Sequence, residues 1–329
     1  MHRITGRIGW ALAVTLALFV VAALAGVVRG GPLDPPLAPA PTQPQVEPRT
    51  PIGSLPFTIG AAGSYFLTAN LTGASGANGI TVNADNVTID LNGFVLSGGP
   101  SPGHGIFVGA PRENLAVKNG TVRGWNVAIE AANASNGLFE GLRVSDNQTG
   151  LSSGSNSVVR NISAKDNVST GILAGENSVL SAVTARSNGT GIFVLAHGNV
   201  SDCASSDNTV NGIFLFGGRT RLEGCTVEGN ASDGIVVLIG GDACLITANN
   251  ASYNAGAGVH VINGARSRID DNNVAGNGQG IRVDSVGNVV VRNTATGNST
   301  NYQVVAGNDL GPVGTAAAST SPWANISNP

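Results

Sequence analysis

Lysine is almost missing from this chain: Lys118 and Lys165 are the two in 329 residues. Charged side chains make up 11% of the sequence, where a typical domain carries about a quarter. Beyond residue 50 there are 13 basic and 18 acidic residues. No cluster of Lys and Arg is available to neutralise phosphates, which argues against a nucleic-acid partner. Aromatic residues are 5% of the chain, and residues that favour helix are scarce enough to exclude a helical surface. The three cysteines do not form a disulfide framework. Cys203 and Cys225 each lie five residues before an Asn (Asn208 and Asn230), in the column that begins Leu142, Ile162, Val183. That placement predicts two small apolar residues stacked in a core, with Cys244 a further buried thiol.

What is abundant is glycine, 47 residues of it, and it is periodic. Gly followed by a branched apolar residue recurs at Gly79-Ile80, Gly105-Ile106, Gly150-Leu151, Gly171-Ile172, Gly191-Ile192, Gly212-Ile213, Gly234-Ile235, Gly258-Val259 and Gly280-Ile281. Ala128-Ile129 and Asn301-Tyr302 fill the two gaps. A period of about 20 to 26 residues marks a stacked repeat. A turn Asn recurs with it at positions 147, 167, 188, 208, 230, 254, 277 and 298, where stacked amides can bond along the pile. Eight places before these Asn lie Phe139, Val159, Leu180, Val200, Leu222, Ile246, Ile269 and Val290, an interior column. After each Gly the apolar residues alternate at period two, as in Ile192-x-Val194 and Ile281-x-Val283. These patterns predict an all-β, right-handed parallel β-helix of roughly ten coils with three faces, its hand following from the chirality of parallel crossovers.

The N-terminus has a basic head with Arg3 and Arg7, an apolar run from Ile8 to Val28, and nine of the fifteen prolines between Pro32 and Pro56. Residues 1–30 read as a signal peptide, with Ala23-Leu24-Ala25 as a cleavage site, or as a retained membrane anchor. Residues 31–56 then form a Pro-rich linker, 57–313 the β-helix and 314–329 a C-terminal cap holding Trp323. Either N-terminal outcome places the repeat outside the cytoplasm, with any membrane contact made through an uncleaved N-terminal segment.

The pattern resembles the right-handed parallel β-helix repeat proteins of the pectate-lyase-like superfold over about residues 55–313. Asp90-Leu91-Asn92-Gly93-Phe94 with Leu96-Ser97-Gly98 resembles the entry segment of exported bacterial members. The resemblance implies secretion and contact with polysaccharide. It does not imply catalysis, because the superfold includes lyases, hydrolases and epimerases of uronate-rich glycans beside adhesins and structural modules. The clusters of its enzymes are mostly missing. Asp270-Asp271 is the one adjacent acidic pair, Gly103-His104-Gly105 stands before rather than after it, and the Asp-Pro-His-Asp motif of alginate epimerases is absent. Glu140, Asp202, Glu223, Asp270 and Asp271 alternate with Arg160, Ser181 and Ala182, a solvated mixed face rather than a calcium site.

Two outward features remain. His260 and Arg282 occupy one outward column in adjacent coils with Asp284 two places along, the residue types that could remove a proton beside a uronate carboxylate. Leu173, Phe193, Phe214 and Val236 fill the same kind of column in four earlier coils, with Leu195, Phe216 and Leu238 in a second. A contiguous apolar face predicts a contact with a protein partner, a second copy, a polysaccharide, or the N-terminal linker. The whole reading is an exported, non-catalytic surface or glycan-interacting module with no cofactor and no metal. A polysaccharide lyase or epimerase and a self-assembling structural protein are the alternatives.

Overall fold

The computed structural model describes residues 49–238, 240 and 242–329. The segment read as signal or anchor, and the linker up to residue 48, lie outside them. Every described strand pairing is parallel. Twelve strands, from Phe57–Ile59 to Thr300–Val304, stack into the first face. The other two faces are halves of a 22-stranded sheet. In the middle coils the halves run as one strand, for example Val158–Lys165 and Val179–Arg186; in later coils they separate, as in Asn199–Ser201 and Ala204–Ser206. At about 4.8 Å per step, twelve strands make a rod on the order of 50 Å long.

Each coil turns three corners on single residues in the left-handed region. Asn177, Ala182 and Ser187 mark one coil (φ 58°, 52° and 55°), and Arg219, Gly224 and Gly229 another (φ 60°, 64° and 65°). Asn, Asp and Gly dominate these columns because they reach positive φ most readily, which explains a composition rich in them. Inside, Ile172, Ile192, Ile213 and Ile235 pair in register, each fully buried. Phe139, Val159, Leu180, Val200, Leu222, Ile246, Ile269 and Val290 form a second column with no exposed surface. Each such aliphatic contributes about 1.5–3 kcal/mol by leaving water.

The turn-Asn column is a continuous buried ladder. Asn147 Nδ2 donates to Asn167 Oδ1 (2.9 Å), Asn167 to Asn188 (2.8 Å), Asn188 to Asn208 (3.2 Å), and so on to Asn298. Each Oδ1 also accepts the backbone N–H of the Asn below, as Asn208 does from Asn188 (2.9 Å). This ladder accounts for the glycines. A Cβ on Gly212 would lie 2.8 Å from Asn230 Nδ2 and 2.7 Å from Gly234 O; Gly171, Gly234 and Gly258 face the same crowding from the rung above. Asn301 can replace Gly because the ladder ends there: its own Oδ1 accepts from Asn298 Nδ2 (2.9 Å).

The N-terminal end differs from the sequence reading. The solenoid begins at Arg49–Ile52, inside the stretch read as linker and before position 57, because that strand pairs with Gly63–Leu67. Pro51 fits there because a terminal edge strand can do without its N–H. Asp90-Leu91-Asn92-Gly93 is a tight turn, with Asn92 N donating to Asp90 Oδ1 at 2.9 Å and Asn92 and Gly93 at φ 53° and 80°. At the other end Asn325–Asn328 adds to Thr294–Thr296 and closes that face.

Candidate functional site

The first face carries both outward features in one continuous column. Leu173, Phe193, Phe214, Val236, His260, Arg282 and Gln303 are successive Cα partners, so the apolar run passes directly into the polar one. Leu195, Phe216, Leu238 and, two coils on, Asp284 stand beside them, since Leu215, Val237, Val261 and Val283 pair in register.

In the apolar half, Phe193 and Phe214 stack with centroids 5.0 Å apart and planes 12° apart. Phe216 lies 6.0 Å from Phe193 at 29°. Rings that stack along the rod turn their faces to each other and their edges to solvent, so the strip offers hydrocarbon edge rather than a flat platform. Leu173, Phe193, Leu195, Phe214 and Leu238 are half-buried. Phe216 is exposed, and Val236, covered between Phe214 and His260, is 1% exposed.

In the polar half the structure brings His260, Arg282 and Asp284 together and adds Asp233. His260 Nδ1 lies 2.8 Å from Asp233 Oδ2, and Nε2 lies 3.0 Å from Asp284 Oδ2. Arg282 closes on Asp284 with two bonds, Nε to Oδ1 at 3.0 Å and Nη2 to Oδ2 at 2.8 Å. Asp233 Oδ1 accepts the Ala257 N–H at 2.6 Å. Asp233 escapes sequence reading because Asp233-Gly234 looks like a turn; it stands outside the column, three residues before Val236, and reaches His260 of the next coil from there.

The electrostatics follow from that geometry. Burial of His260 opposes its charge, yet bonds to Asp233 and Asp284 outweigh it and raise its pKa above the ordinary value. Burial works against ionised Asp233, but the bonds from His260 and the Ala257 N–H hold its pKa below the usual carboxylate range. Asp284 is depressed chiefly by Arg282. The contacts favour the doubly protonated imidazole, in which both ring nitrogens donate and the four groups form a chain of alternating charge that sums to zero. An imidazolium closed on both sides has no lone pair with which to take a proton from a substrate.

Other residues singled out in the sequence have structural work. Asp270 is buried and gripped by Arg268 (Nε to Oδ2, 2.8 Å) and Arg292 (Nε to Oδ1, 2.7 Å), bonds that depress its pKa. Asp271 turns a corner at φ 56°. Glu140 pairs with Arg160 at 3.0 Å on the mixed face. His104 stacks on Phe107 with centroids 5.0 Å apart. Cys203, Cys225 and Cys244 are free, buried thiols. The column of Cys203 and Cys225 continues into a second amide ladder, Asn249, Asn272, Asn293 and Asn325, that sequence reading missed; the Cys225 N–H donates to Asn249 Oδ1 at 3.0 Å.

Three parallel faces wound with one hand, single-residue corners and internal amide ladders define the class: a right-handed parallel β-solenoid. The family model described as right handed beta helix region matches residues 60–210 and 190–312, and the chain belongs to that family. No curated protein matches at the level of sequence. Among solved structures, the A-module of the mannuronan C-5 epimerase AlgE4 of Azotobacter vinelandii is similar at 14% identity and TM-score 0.53, covering 81% of this chain and 86% of that one. The AlgE6 A-module of the same organism gives 15%, 0.51, 82% and 91%. The catalytic domain of a GH87 α-1,3-glucanase in complex with tetrasaccharides gives 15% and 0.54, covering 85% of this chain and 63% of that one. At such identities the likeness is one of fold.

Proposed function

We propose that this chain works outside the cytoplasm as a non-catalytic β-helix module that contacts a glycan or a cell-surface partner. The observation that carries the reading is the closed chain Asp233–His260–Asp284–Arg282. It is the constellation best placed for proton abstraction, and both nitrogens of its base are occupied by carboxylates that favour the protonated form. Export is supported by the basic head and the apolar run from Ile8 to Val28. Glycan contact is supported by the neighbours, an epimerase module named for mannuronan and a glucanase holding tetrasaccharides, on the same fold. The edge-on phenylalanine strip suits a protein surface or a second copy better than a sugar ring.

The test is binding and turnover by the full chain on uronate-containing and neutral polysaccharides, with and without calcium, following unsaturated-product absorbance, released reducing ends and exchange of the C-5 proton with solvent. Saturable binding without product is the expected result. Turnover that disappears in Arg282→Ala would overturn the proposal and make the protein a lyase or epimerase. Absence of binding to every glycan would leave the Phe193, Phe214 and Phe216 strip as the functional surface.

A further inference from the structure

At the C-terminal end of the rod, on the second face, lies a cleft of about 350 Å³, near the small end of the range for ligand sites. Its walls are Arg268, Asp309, Ser321 and Trp323 over a floor that includes Val289 and Val291. Trp323 falls in the stretch read as the C-terminal cap. It is 52% exposed, while the adjoining strand Asn325–Asn328 does the closing. The main chain that carries the indole is nevertheless held. The Trp323 carbonyl accepts the Arg292 backbone N–H (3.4 Å), its backbone N–H donates to Ser321 Oγ (3.2 Å), and a Cβ at Gly311 would collide with that carbonyl. The guanidinium carbons of Arg268 and Arg292 sit 5.9 and 5.7 Å from the ring centroid.

The polar groups around this ring are only partly used. Arg268 reaches Asp270 through Nε. Among the described residues its two Nη groups, the Trp323 Nε1 and the Asp309 carboxylate have no side-chain bond or ion pair. Arg268 and Asp309 stand two coils apart in one column, with Val289 between them. A half-exposed aromatic ring, unused donors on one wall and an unused carboxylate on the other match a pyranose, which has an apolar C–H face and a rim of hydroxyls that both donate and accept. The two arginines are balanced by Asp270 and Asp309, so the site has no net charge with which to favour an anion.

From this we infer that the Trp323 cleft is a binding subsite for a neutral sugar unit of a polysaccharide, with Trp323 packing on the ring, Arg268 donating to hydroxyls and Asp309 accepting from them. The inference rests on the glycan-contacting part of the function proposed above. It adds a site in neighbouring coils but on a different face of the rod from the Asp233–His260 chain, and independent of the phenylalanine strip.

The probes are maltotetraose, cellotetraose, an α-1,3-linked glucotetraose and tetragalacturonate, titrated into the full chain while acrylamide quenching of tryptophan emission is followed. Trp10 and Trp125 are common to wild type and Trp323→Phe, so the quenching difference between the two isolates the cleft. At least one neutral tetrasaccharide should protect Trp323. Trp323→Ala should weaken its binding by roughly tenfold, the worth of one aromatic stack, and Trp323→Phe should retain most of it. Asp309→Asn, at an exposed position, should weaken it without altering the fold. Neutral-sugar binding that is the same in Trp323→Ala would refute the site and leave the glycan-contacting reading standing. Failure of all four probes would refute both, and Trp323-dependent binding of tetragalacturonate alone would refute the assignment to neutral sugars.

Discussion

Asn208 sits in the middle of the buried amide ladder, and Asn208→Ala isolates what one rung is worth. The wild-type Oδ1 accepts from Asn188 N (2.9 Å) and Asn188 Nδ2 (3.2 Å); its Nδ2 donates to Asn230 Oδ1 (2.8 Å) and Ser205 Oγ (3.0 Å). After truncation, Asn188 Nδ2 keeps Ala164 O (3.1 Å) and Asn230 Oδ1 keeps the Asn208 N–H (3.1 Å). The Asn188 backbone N–H is the group left without an acceptor. One orphaned buried donor costs about 1–3 kcal/mol, and the vacated space adds to it, for a total of about 2–4 kcal/mol. A water entering the space sets the lower figure. Position 208 is not in the left-handed region, so alanine adds no backbone strain. The control is Asn114→Gly, which removes an exposed rung (Asn114 Nδ2 to Asn86 Oδ1, 2.7 Å) while keeping a residue suited to φ 60°. Thermal melts followed by circular dichroism should show a drop of roughly 5–10 °C for Asn208→Ala and a drop within about 2 °C for Asn114→Gly. Equal shifts in the two variants would show that burial does not make the internal ladder costly to break.

Gly212→Ala should destabilise by more than Asn208→Ala, since the new Cβ meets the Gly234 carbonyl and Asn230 amide, backbone and ladder atoms that cannot swing away; urea unfolding reads this. For pH, His260 is raised, so its contribution is complete below its unfolded value near 6.5 and is lost as pH rises through the folded pKa. Asp233 and Asp284 are lowered, so theirs is present above about 4 and lost as pH falls. Urea midpoints should decline on the alkaline side in wild type, and that limb should flatten in His260→Gln. The thiols should react with a chromogenic disulfide reagent only as the chain unfolds, because Cys203, Cys225 and Cys244 are all buried and out of the reagent's reach. Rapid labelling of the native protein would contradict their place in the core.

The repeat was legible because glycine and asparagine answer the same steric demand in every coil: the amide of one rung occupies the space a Cβ on the Gly below would need. The interior aliphatics were legible because alternation is strict beside it. What escaped was whatever changes identity along the rod. The second ladder is written as Leu, Ile, Val and Cys before it becomes Asn249, Asn272, Asn293 and Asn325, so no column of one residue type announces it. The first strand was hidden by Pro51, and Asp233 by its Gly neighbour. The polar constellation was found by register, since pairing of His260 with Arg282 follows from coil length. Its charge state was not, because that depends on the fourth member and on burial.

The ladder's rungs all point one way: from Asn147 to Asn298 every amide gives its N–H₂ to the next and receives through oxygen from the last. An interior rung cannot tell which neighbour it has, because every neighbour offers the same group at the same place. A coil excised or duplicated whole within that span would leave each junction matched, with the special chemistry confined to the Trp125 start and the Asn301 finish. The molecule is in that sense a ruler, whose reach can be lengthened or shortened in increments of about 4.8 Å without redrawing either end.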